Sequence, residues 1–562
     1  MTQMTGASYL ATALERYGLT DVFMVPTIAS ETLVAMEQHT GIRRIVPHSE
    51  KSAAYMADGY ARASGRLGVC GAQNVGRANL AAGLQDAYLA CSPVLALTGG
   101  PLPHSPRSRH VYQEIDAFGM FGPVTKSSVH LESVHHLPQV FRQAVREATT
   151  GKPGPVHIEL EGHAGEPIEH ATADLDDHLD LRFGATPPFR PAPDAGAVTE
   201  ALRLMDAAER PVVVAGGGVR TSGAAAELVT LAERLSIPVA TSLNGKEVIP
   251  GDHPLSLGVV GSYCRKSANA AVWEADLVIF VGSQTSSQVT CNWQVPAPAA
   301  PVVHIDIDPA ELGRHYARTT PVLGDAKAVL RRMLDAGGTE HKDRAAWLER
   351  VAQLRAEYFD EFRAQMESDA APLRPERLCR ELSDLLPSDA LVLADTGHAG
   401  MWTGGMVDLR HPTQGYLRAA GSLGWGVPAA IGAKCGAPDR PVVLFTGDGG
   451  FWYHASEIET ASRWKIPVVL LVNNNRSLNQ EINPFTRAYG GQLHGRHHEL
   501  WHFGDVDLAA VAQAMGATGI RVTRPAELEK ALSVALETDG PVVLDVVTDI
   551  DALAPLGYVP EQ

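Results

Sequence analysis

Residues 442–475 read VVLFTGDGGFWYHASEIETASRWKIPVVLLVNNN, and this stretch decides the fold. One apolar run typical of a buried strand opens it, a second covers 466–472, and a helix-like segment at 455–464 lies between them. Parallel strands end at one edge of a sheet, which is where doubly wound folds bind their ligands. Asp448 and Asn475 are therefore expected to meet at that edge.

The residue types at this edge suit one magnesium ion and a diphosphate. Asp448 supplies a carboxylate and Asn475 a side-chain carbonyl, and magnesium takes such hard oxygen ligands together with phosphate oxygens. Gly447, Gly449 and Gly450 leave backbone N–H groups open to a diphosphate. The stretch does not match the G-x-x-x-x-G-K-[ST] pattern of a nucleotide P-loop. Taken alone, the glycines also fit a simple turn, but the asparagines after the second strand favour a binding site.

Outward from this stretch, apolar β-rich runs alternate with alanine-rich helical segments, which predicts an α/β fold of parallel sheets covered by helices. We predict three doubly wound parallel-sheet domains, at residues 1–185, 190–340 and 370–562. A proline-rich stretch at 186–193 separates the first two, and a charged helical stretch at 343–367 precedes the third. The predicted strands are DVFMV, IRRIV, LGVCGA, PVLALTG and PVHIEL in the first domain, PVVVAGGG, PVATSL, ADLVIFVGS and PVVHIDIDP in the second, and ALVLADTG, RPVVLFTGDGG, IPVVLLVNNN and GPVVLDVVT in the third.

The composition limits the classes of function. The chain has 562 residues, 45% of them hydrophobic, a size at which one core gives way to several domains. Its formal net charge of -17 argues against nucleic acid or an anionic membrane as a partner. The six cysteines form no C-x-x-C pair, the N-terminus lacks a basic leader, and the apolar runs are too short to span a bilayer. These features predict a cytoplasmic protein with reduced thiols.

The GDG motif, followed about two dozen residues later by a double asparagine, resembles the cofactor signature of thiamine-diphosphate-dependent enzymes. The resemblance implies that Asp448 and Asn475 bind Mg²⁺ and that Ser477 adds its backbone carbonyl. It also implies that Asn474 and Asn475 form the asparagine pair of the motif. In that family the three domains are, in chain order, the pyrimidine-binding, central and diphosphate-binding domains.

Three further segments resemble other parts of that family's site. VPHSEKSAAYMADGYARASGRLGV resembles the pyrimidine-binding segment, and Glu50 would then favour the aminopyrimidine tautomer that deprotonates the thiazolium carbon. On its own, Glu50 also fits a residue that opens a helix. In AAGSLGWGVPAAIGAK, Leu423 takes the place of the bulky side chain that bends the cofactor, and Gly421 offers its carbonyl. ADTGHAGMW resembles the strand end at the diphosphate, with Gly397 and His398 as candidates.

The middle of the chain, with PVVVAGGGVRTSG and VVHIDIDPAELGR, resembles the central domain of the acetolactate-synthase-like branch. This resemblance implies a homodimer or homotetramer whose active sites lie between the first domain of one subunit and the third domain of another. Some members carry a structural FAD next to a G-x-R-F-D-D-R loop. Here that loop, at 282–288, reads GSQTSSQ, so FAD is a possible but disfavoured cofactor.

The chain departs from its relatives in residues expected near the substrate. Ile28 stands where relatives often place side chains that handle protons, and Gln73 and Asn74 replace small residues. Gln113 matches a family glutamine near the reacting carbon and is predicted to be catalytic. The segment RSLNQEINPF, which includes Gln480, lacks the tryptophan of true acetohydroxyacid synthases. We predict that Ile28, Gln73, Asn74 and Gln480 contact the substrate.

These features predict a carbon–carbon lyase or ligase that acts on small carbonyl compounds: 2-oxo acids, acyloins or 1,2-diketones. The main hypothesis is decarboxylation with carboligation. Because FWYHASEIE also resembles relatives that hydrolyse cyclic diketones, diketone hydrolysis or acyl transfer is an alternative. A catalytically silent paralogue that binds the cofactor is a further alternative, and the presence of Glu50 argues against it.

Overall fold

Three six-stranded parallel sheets, each accompanied by helices, form the framework of the chain and confirm the predicted α/β fold. The structure is a computed structural model that describes residues 1–102, 111–337, 343–555 and 557–559. None of the described helices is long and apolar enough to cross a membrane. The exact domain boundaries drawn from the sequence stay predictions.

The elements of the first domain are β1 (Thr2–Thr5), α1 (Gly6–Arg16), β2 (Asp21–Met24), α2 (Ser30–His39), β3 (Arg43–Ile45), α3 (Glu50–Ser64), β4 (Gly68–Ala72), α4 (Arg77–Leu89), β5 (Val94–Gly99), β6 (Ser127–Leu131), α5 (Leu137–Thr149), β7 (Val156–Leu160), α6 (Glu166–His170) and β8 (Thr172–Leu175). Those of the central domain are α7 (Ala195–Ala207), β9 (Pro211–Ala215), α8 (Gly217–Ser222), α9 (Ala225–Leu235), β10 (Val239–Thr241), β11 (Ser256–Val259), α10 (Lys266–Glu274), β12 (Leu277–Val281), β13 (Val302–Asp306), β14 (Thr319–Leu323) and α11 (Ala326–Asp335). Helix α12 (Ala345–Met366) follows.

The elements of the third domain are α13 (Pro375–Leu385), β15 (Leu391–Ala394), α14 (His398–Met406), β16 (Gly415–Arg418), α15 (Gly426–Gly436), β17 (Val442–Gly447), α16 (Asp448–Tyr453), α17 (Glu457–Arg463), β18 (Val469–Asn474), α18 (Ile482–Ala488), α19 (Leu508–Ala514), β19 (Thr518–Val522), α20 (Leu528–Glu537) and β20 (Val542–Val547). The predicted helix at 455–464 is therefore shorter, and the separate helix α16 before it was not predicted.

The strand orders reveal a structural repeat that the sequence did not show. The first sheet runs β3-β2-β4-β5-β7-β6 and the third runs β16-β15-β17-β18-β20-β19, so both place their strands in the same relative order. The central sheet, β11-β10-β9-β12-β13-β14, follows the dinucleotide-binding order instead. In the third sheet β17 and β18 are neighbours, with Gly447 paired to Asn473, so the two halves of the GDG…NN motif end at one edge.

Helices α3 and α15 join the first and third domains of one chain at very close range. A Cβ built on Gly59 would overlap the backbone carbonyl of Ala429, and one on Gly432 would overlap that of Met56. These glycines let the two helix backbones touch, so the A-D-G-Y-A-R stretch of α3 has a packing role as well as a sequence resemblance. The two helices thereby lock the third domain against the first.

We expect Gly59→Ala to lower the free energy of unfolding by about 1–3 kcal/mol, because overpacking outweighs the gain of about 1 kcal/mol that alanine has over glycine in a helix. Urea unfolding followed by circular dichroism measures the change. Gly122→Ala is the matched control, since a Cβ there meets no atom within 4 Å. Equal stability of the two variants would contradict the packing role.

Candidate functional site

A cleft at the carboxyl edge of the third sheet collects the residues predicted for the cofactor. Loop residues of the central domain, among them Ser287 and Gln288, close one side of it. The predicted residues that line the cleft are Gly397, His398, Gly421, Leu423, Gly447, Asp448, Gly449, Gly450, Asn475, Ser477 and Gln480. The sequence prediction thus assembles as one site in the third domain.

One corner of the cleft holds the predicted magnesium ligands. Asp448, only 2% exposed, begins α16, and its carboxylate accepts a hydrogen bond from the backbone N–H of Ser477. Asn475 Oδ1 accepts from the same N–H at 3.1 Å. All three residues therefore meet around one point. Burial raises the pKa of Asp448 to about 7, so a nearby cation is what would keep this carboxylate charged.

The asparagine that shares the cleft with Asn475 is not Asn474, which the prediction paired with it. Asn474 donates from Nδ2 to Asp545 at 2.7 Å and faces the interior of the domain, so it is not part of the cleft. Asn473 does line the cleft, and its buried Oδ1 has no hydrogen-bond partner among the described residues. Side chains alternate along β18, which is why Asn473 and Asn475 share one face. The missed residue, Asn473, was recoverable from that alternation.

This donor set fits magnesium with a diphosphate better than a metal held by protein alone. The described residues contain no group of three or more His, Cys, Asp or Glu that could hold a metal ion. The corner instead offers one carboxylate and amide oxygens, which leaves positions for phosphate oxygens. Asn473 Oδ1 is a further free oxygen beside it.

The backbone around Gly421 is held by a carboxylate of the first domain. Asp86, fully buried in α4, accepts from Ala420 N–H at 2.7 Å and from Ser422 N–H at 3.0 Å. Gly421 lies between these two bonds with φ of 156°, and a Cβ there would meet open space. Burial raises the pKa of Asp86. Asp86 was not predicted as a site residue, because its contact crosses from one domain to another.

A second buried carboxylate holds the other end of this loop. Asp395 follows β15 and accepts from Gly424 N–H at 3.1 Å and Gly426 N–H at 3.0 Å, on either side of the turn after Leu423. Burial raises the pKa of Asp395 to about 6. Leu423 projects into the cleft from a loop that is fixed at both ends, as a side chain that must bend a cofactor requires.

His398 is a neutral member of the cleft. Its Nδ1 lies 2.8 Å from Asn479 Oδ1, and burial lowers its pKa to about 4. Gln480 approaches Gly397 closely, with Oε1 2.6 Å from the position of a Cβ on that glycine. These two contacts, of Asn479 with His398 and of Gln480 with Gly397, bring the segment after β18 against the end of β15.

The first-domain residues form a separate group within one chain. Glu50 opens α3, and Asn79 Nδ2 donates to its Oε2 at 3.1 Å. Neither Glu50, Gln73 nor Gln113 lines the cleft of the third domain. His48, two residues before Glu50, lies outside the cleft, and its Nε2 is 2.8 Å from Glu459 Oε2.

Two of the predicted substrate contacts are corrected by burial. Ile28 is fully buried in the core of the first domain, so it does not face a substrate. Asn74 is 1% exposed, and its side chain donates to Gly100 O at 2.7 Å while accepting from Ile115 N–H at 3.1 Å. Arg77 also donates to Asn74 and to the carbonyl of Ile115. Asn74 therefore fixes the segment that carries Gln113 instead of touching substrate.

A second cleft lies at the carboxyl edge of the central sheet, lined by the loops at 216–218 and 282–288. It is the place where the resemblance would put FAD. The 282–288 loop carries no charged side chain. Its Gln284 donates to the thiol of a first-domain cysteine at 3.0 Å, and its Gln288 accepts from a third-domain arginine at 2.6 Å. The loop thus uses both glutamines within the protein and does not reproduce a charged flavin loop.

Comparison with known proteins follows the same division. Models of the thiamine pyrophosphate enzyme N-terminal TPP binding domain, central domain and C-terminal TPP binding domain match residues 4–120, 198–333 and 395–546. A probable acetolactate synthase large subunit of Methanocaldococcus jannaschii is 37% identical over 97% of this chain and 92% of the relative. The acetolactate synthase large subunit of Corynebacterium glutamicum is 33% identical, over 98% and 88%. The isozyme 2 large subunit of Escherichia coli is 31% identical, over 97% and 96%.

We expect Asp86→Asn to weaken binding of thiamine diphosphate by about tenfold or more, since the two N–H groups around Gly421 bond to different oxygens of Asp86 and the substitution replaces one of them with an NH₂ donor. Isothermal titration in the presence of Mg²⁺ measures the affinity. Asp174→Asn, on the exposed face of β8, is the control and should bind like the unmodified protein. An unchanged affinity in Asp86→Asn would contradict the bracing role.

Proposed function

The chain belongs to the thiamine pyrophosphate enzyme family, in the branch of acetolactate synthase large subunits, and from that premise we propose that it joins two 2-oxo acids with loss of carbon dioxide. The relatives' names suggest pyruvate as the donor and 2-acetolactate as the product. The bond between C1 and C2 of one pyruvate breaks, and a bond forms between its C2 and C2 of the second. Two pyruvates and one proton then give one 2-acetolactate and one CO₂.

The observation that carries this proposal is the meeting of Asp448, Asn475 and Ser477 at one corner, beneath a loop fixed around Gly421. We infer that these three residues hold Mg²⁺ and that the cleft binds the cofactor diphosphate. Thiamine diphosphate, when bound, supplies the nucleophilic carbon and the electron sink that decarboxylation of a 2-oxo acid needs. The chain's own residues bind the cofactor, hold it bent and place the group that exchanges a proton with it.

The roles of individual side chains follow from their environments. Glu50 would share a proton with the aminopyrimidine, the backbone carbonyl of Gly421 would accept a hydrogen bond from its amino group, and Leu423 would hold the cofactor bent. His398 is neutral, so it donates or accepts a hydrogen bond without adding charge. Gln73, Gln113 and Gln480 are proposed substrate contacts, as amides that bind a carbonyl or hydroxyl.

The site requires a second copy of the chain in this proposal. Glu50 and Gln113 lie outside the cleft of their own chain. Apolar side chains that are more than a third exposed flank this first-domain group in sequence: Val75, Tyr112, Ile115 and Met120. Such a surface suits an interface, and a first domain from a partner would bring its Glu50 to the cofactor. We therefore propose a homodimer or homotetramer, to which the relatives' designation as large subunits adds the prospect of a smaller partner chain.

Incubation with thiamine diphosphate, Mg²⁺ and pyruvate tests the reaction, and we expect Glu50→Gln to lower its turnover by about a hundredfold or more, as loss of a proton-transfer group does. Mass spectrometry should find 2-acetolactate and CO₂ in equal amounts. His48→Gln, next to the site but paired with Glu459, should retain activity.

Unchanged turnover in Glu50→Gln would contradict its catalytic role. Consumption of 1,2-diketones or cyclic diketones in place of pyruvate would favour hydrolysis or acyl transfer. A loaded protein that consumes none of these compounds would be the silent paralogue.

We expect the purified protein to contain no FAD, because the loop at 282–288 lacks the charged residues of the flavin-binding resemblance. The visible absorbance spectrum and chromatography of the denatured supernatant measure flavin content. Stoichiometric flavin in protein that turns over pyruvate would contradict this expectation. No step of the proposed reaction passes through a flavin.

A further inference from the structure

The cleft of the third domain contains a single basic side chain that stays charged. Among the described residues that line it, the only lysine or arginine is Arg418, and the acids are Asp448 and Glu481. His398 is neutral because burial lowers its pKa to about 4. A 2-oxo acid carries a carboxylate, and a carboxylate removed from water needs a compensating cation or hydrogen bonds.

Arg418 has an unusual set of partners for a half-buried guanidinium. It ends β16 and reaches into the seam between the central and third domains. Its Nε donates to Asn244 Oδ1 at 3.1 Å and its Nη2 to Gln288 Oε1 at 2.6 Å. Its Nη1 donates to the backbone carbonyl of Ala419 at 2.9 Å. All three acceptors are neutral.

No described Asp or Glu lies within ion-pair distance of Arg418, and the acid whose charge acts on it most is Asp86. Two other buried arginines differ in this respect. Arg77 pairs with Glu159, and Arg265 pairs with Asp408 at 2.6 Å. A guanidinium has five N–H donors, and the three bonds of Arg418 leave one donor on each terminal nitrogen. Two such donors match the two oxygens of one carboxylate.

The carboxylates of the donor and the acceptor have different fates in the reaction. The donor's carboxylate leaves as neutral CO₂, so a strong ion pair with it would stabilise the ground state over the transition state and slow the reaction. The acceptor's carboxylate keeps its charge from binding to product. A fixed guanidinium therefore favours the acceptor without opposing the chemistry.

We propose that Arg418, oriented by Gln288 and Asn244, binds the carboxylate of the acceptor 2-oxo acid and so selects a charged acceptor over a neutral aldehyde. The inference rests on the proposed function, since it assigns the second substrate of that reaction. The central-domain loop at 282–288 contributes an amide in place of charge. Because this amide does not neutralise the guanidinium, Arg418 stays available to the carboxylate of a substrate.

A charge placed on Gln288 tests the inference with little change of shape. Gln288→Glu sets a carboxylate against the guanidinium and should occupy it. Gln284→Glu is the matched control, because it adds the same charge to the same loop but that side chain contacts a first-domain cysteine. Arg418→Gln removes the cation, and Arg418→Lys restores the charge with poorer geometry.

The first readout is a competition assay on the protein loaded with thiamine diphosphate and Mg²⁺. Pyruvate is the donor, and 2-oxobutanoate and acetaldehyde compete as acceptors at equal concentration. We expect Gln288→Glu and Arg418→Gln to shift the product ratio toward the neutral acceptor by at least about tenfold, with Arg418→Lys between them and the unmodified protein. The ratio is independent of how much active protein survives. A ratio that stays constant while both products fall would overturn the inference.

The second readout is binding of lactate, an unreactive 2-hydroxy acid, to the loaded protein by calorimetry. Affinity should fall at least about tenfold in Gln288→Glu and Arg418→Gln and stay unchanged in Gln284→Glu. Equal affinity in all three variants overturns the carboxylate site. If the unmodified protein makes no product from pyruvate yet binds lactate selectively through Arg418, the proposed reaction fails and the carboxylate site stands.

Discussion

The parallel register of β17 and β18 is the constraint on which the cofactor cleft depends. It places Gly447 beside Asn473 and sends Asp448 and the turn at Asn475 out of the same sheet edge. Side chains alternate along a strand, so a slip of one residue would point Asn474 into the cleft and remove the other two asparagines. Burial of Asp448 there disfavours its charged form. Cation binding at this corner and folding of this edge therefore stabilise each other.

The first domain supports the cleft of its own chain and also carries Glu50 and the Gln113 segment, which lie outside that cleft. Its helices brace the cleft of their own chain, through the close contact of α3 with α15 and through the carboxylate of Asp86 beneath Gly421. Its strand edge carries Glu50 and the segment of Gln113, which Asn74 and Arg77 fix in place. In the homodimer or homotetramer proposed above, the edge that carries Glu50 would face the cleft of another chain. The same relative strand order in the first and third sheets suits such a reciprocal assembly.

The sequence predicted the interior strands of each sheet but only one of the six edge strands, β3. Interior strands such as β5, β12 and β18 are largely apolar because helices cover both of their faces, and the asparagines of β18 stand at its carboxyl end. The five strands not predicted in the three large sheets, β6, β11, β14, β16 and β19, all lie at edges, where shorter and more polar runs suffice. The antiparallel pair β1–β8 was missed for the same reason.

The site residues also differ in whether the sequence could predict them. The meeting of Asp448 and Asn475 was predictable because strand geometry brings them together, and Ser477 followed only from the family resemblance. Asp86 and Asp395 were not, since each acts through backbone N–H groups that only tertiary structure places nearby. Ile28 and Asn74 were assigned to the substrate from their unusual identity. That identity instead reflects the packing of the first-domain core and of the Gln113 segment.

The charge distribution explains why an unusual loop and an unusual arginine occur together. A buried guanidinium normally pairs with an acid, because desolvation otherwise destabilises its charge. Arg418 is held by amides and a carbonyl, an arrangement that satisfies part of its hydrogen bonding but gives it no ion pair. An acid in the 282–288 loop would neutralise it, and a second cation there would repel it. The uncharged loop at 282–288 and the unpaired Arg418 therefore belong to one site. The carboxylate of an anionic substrate would supply the ion pair that this arginine lacks.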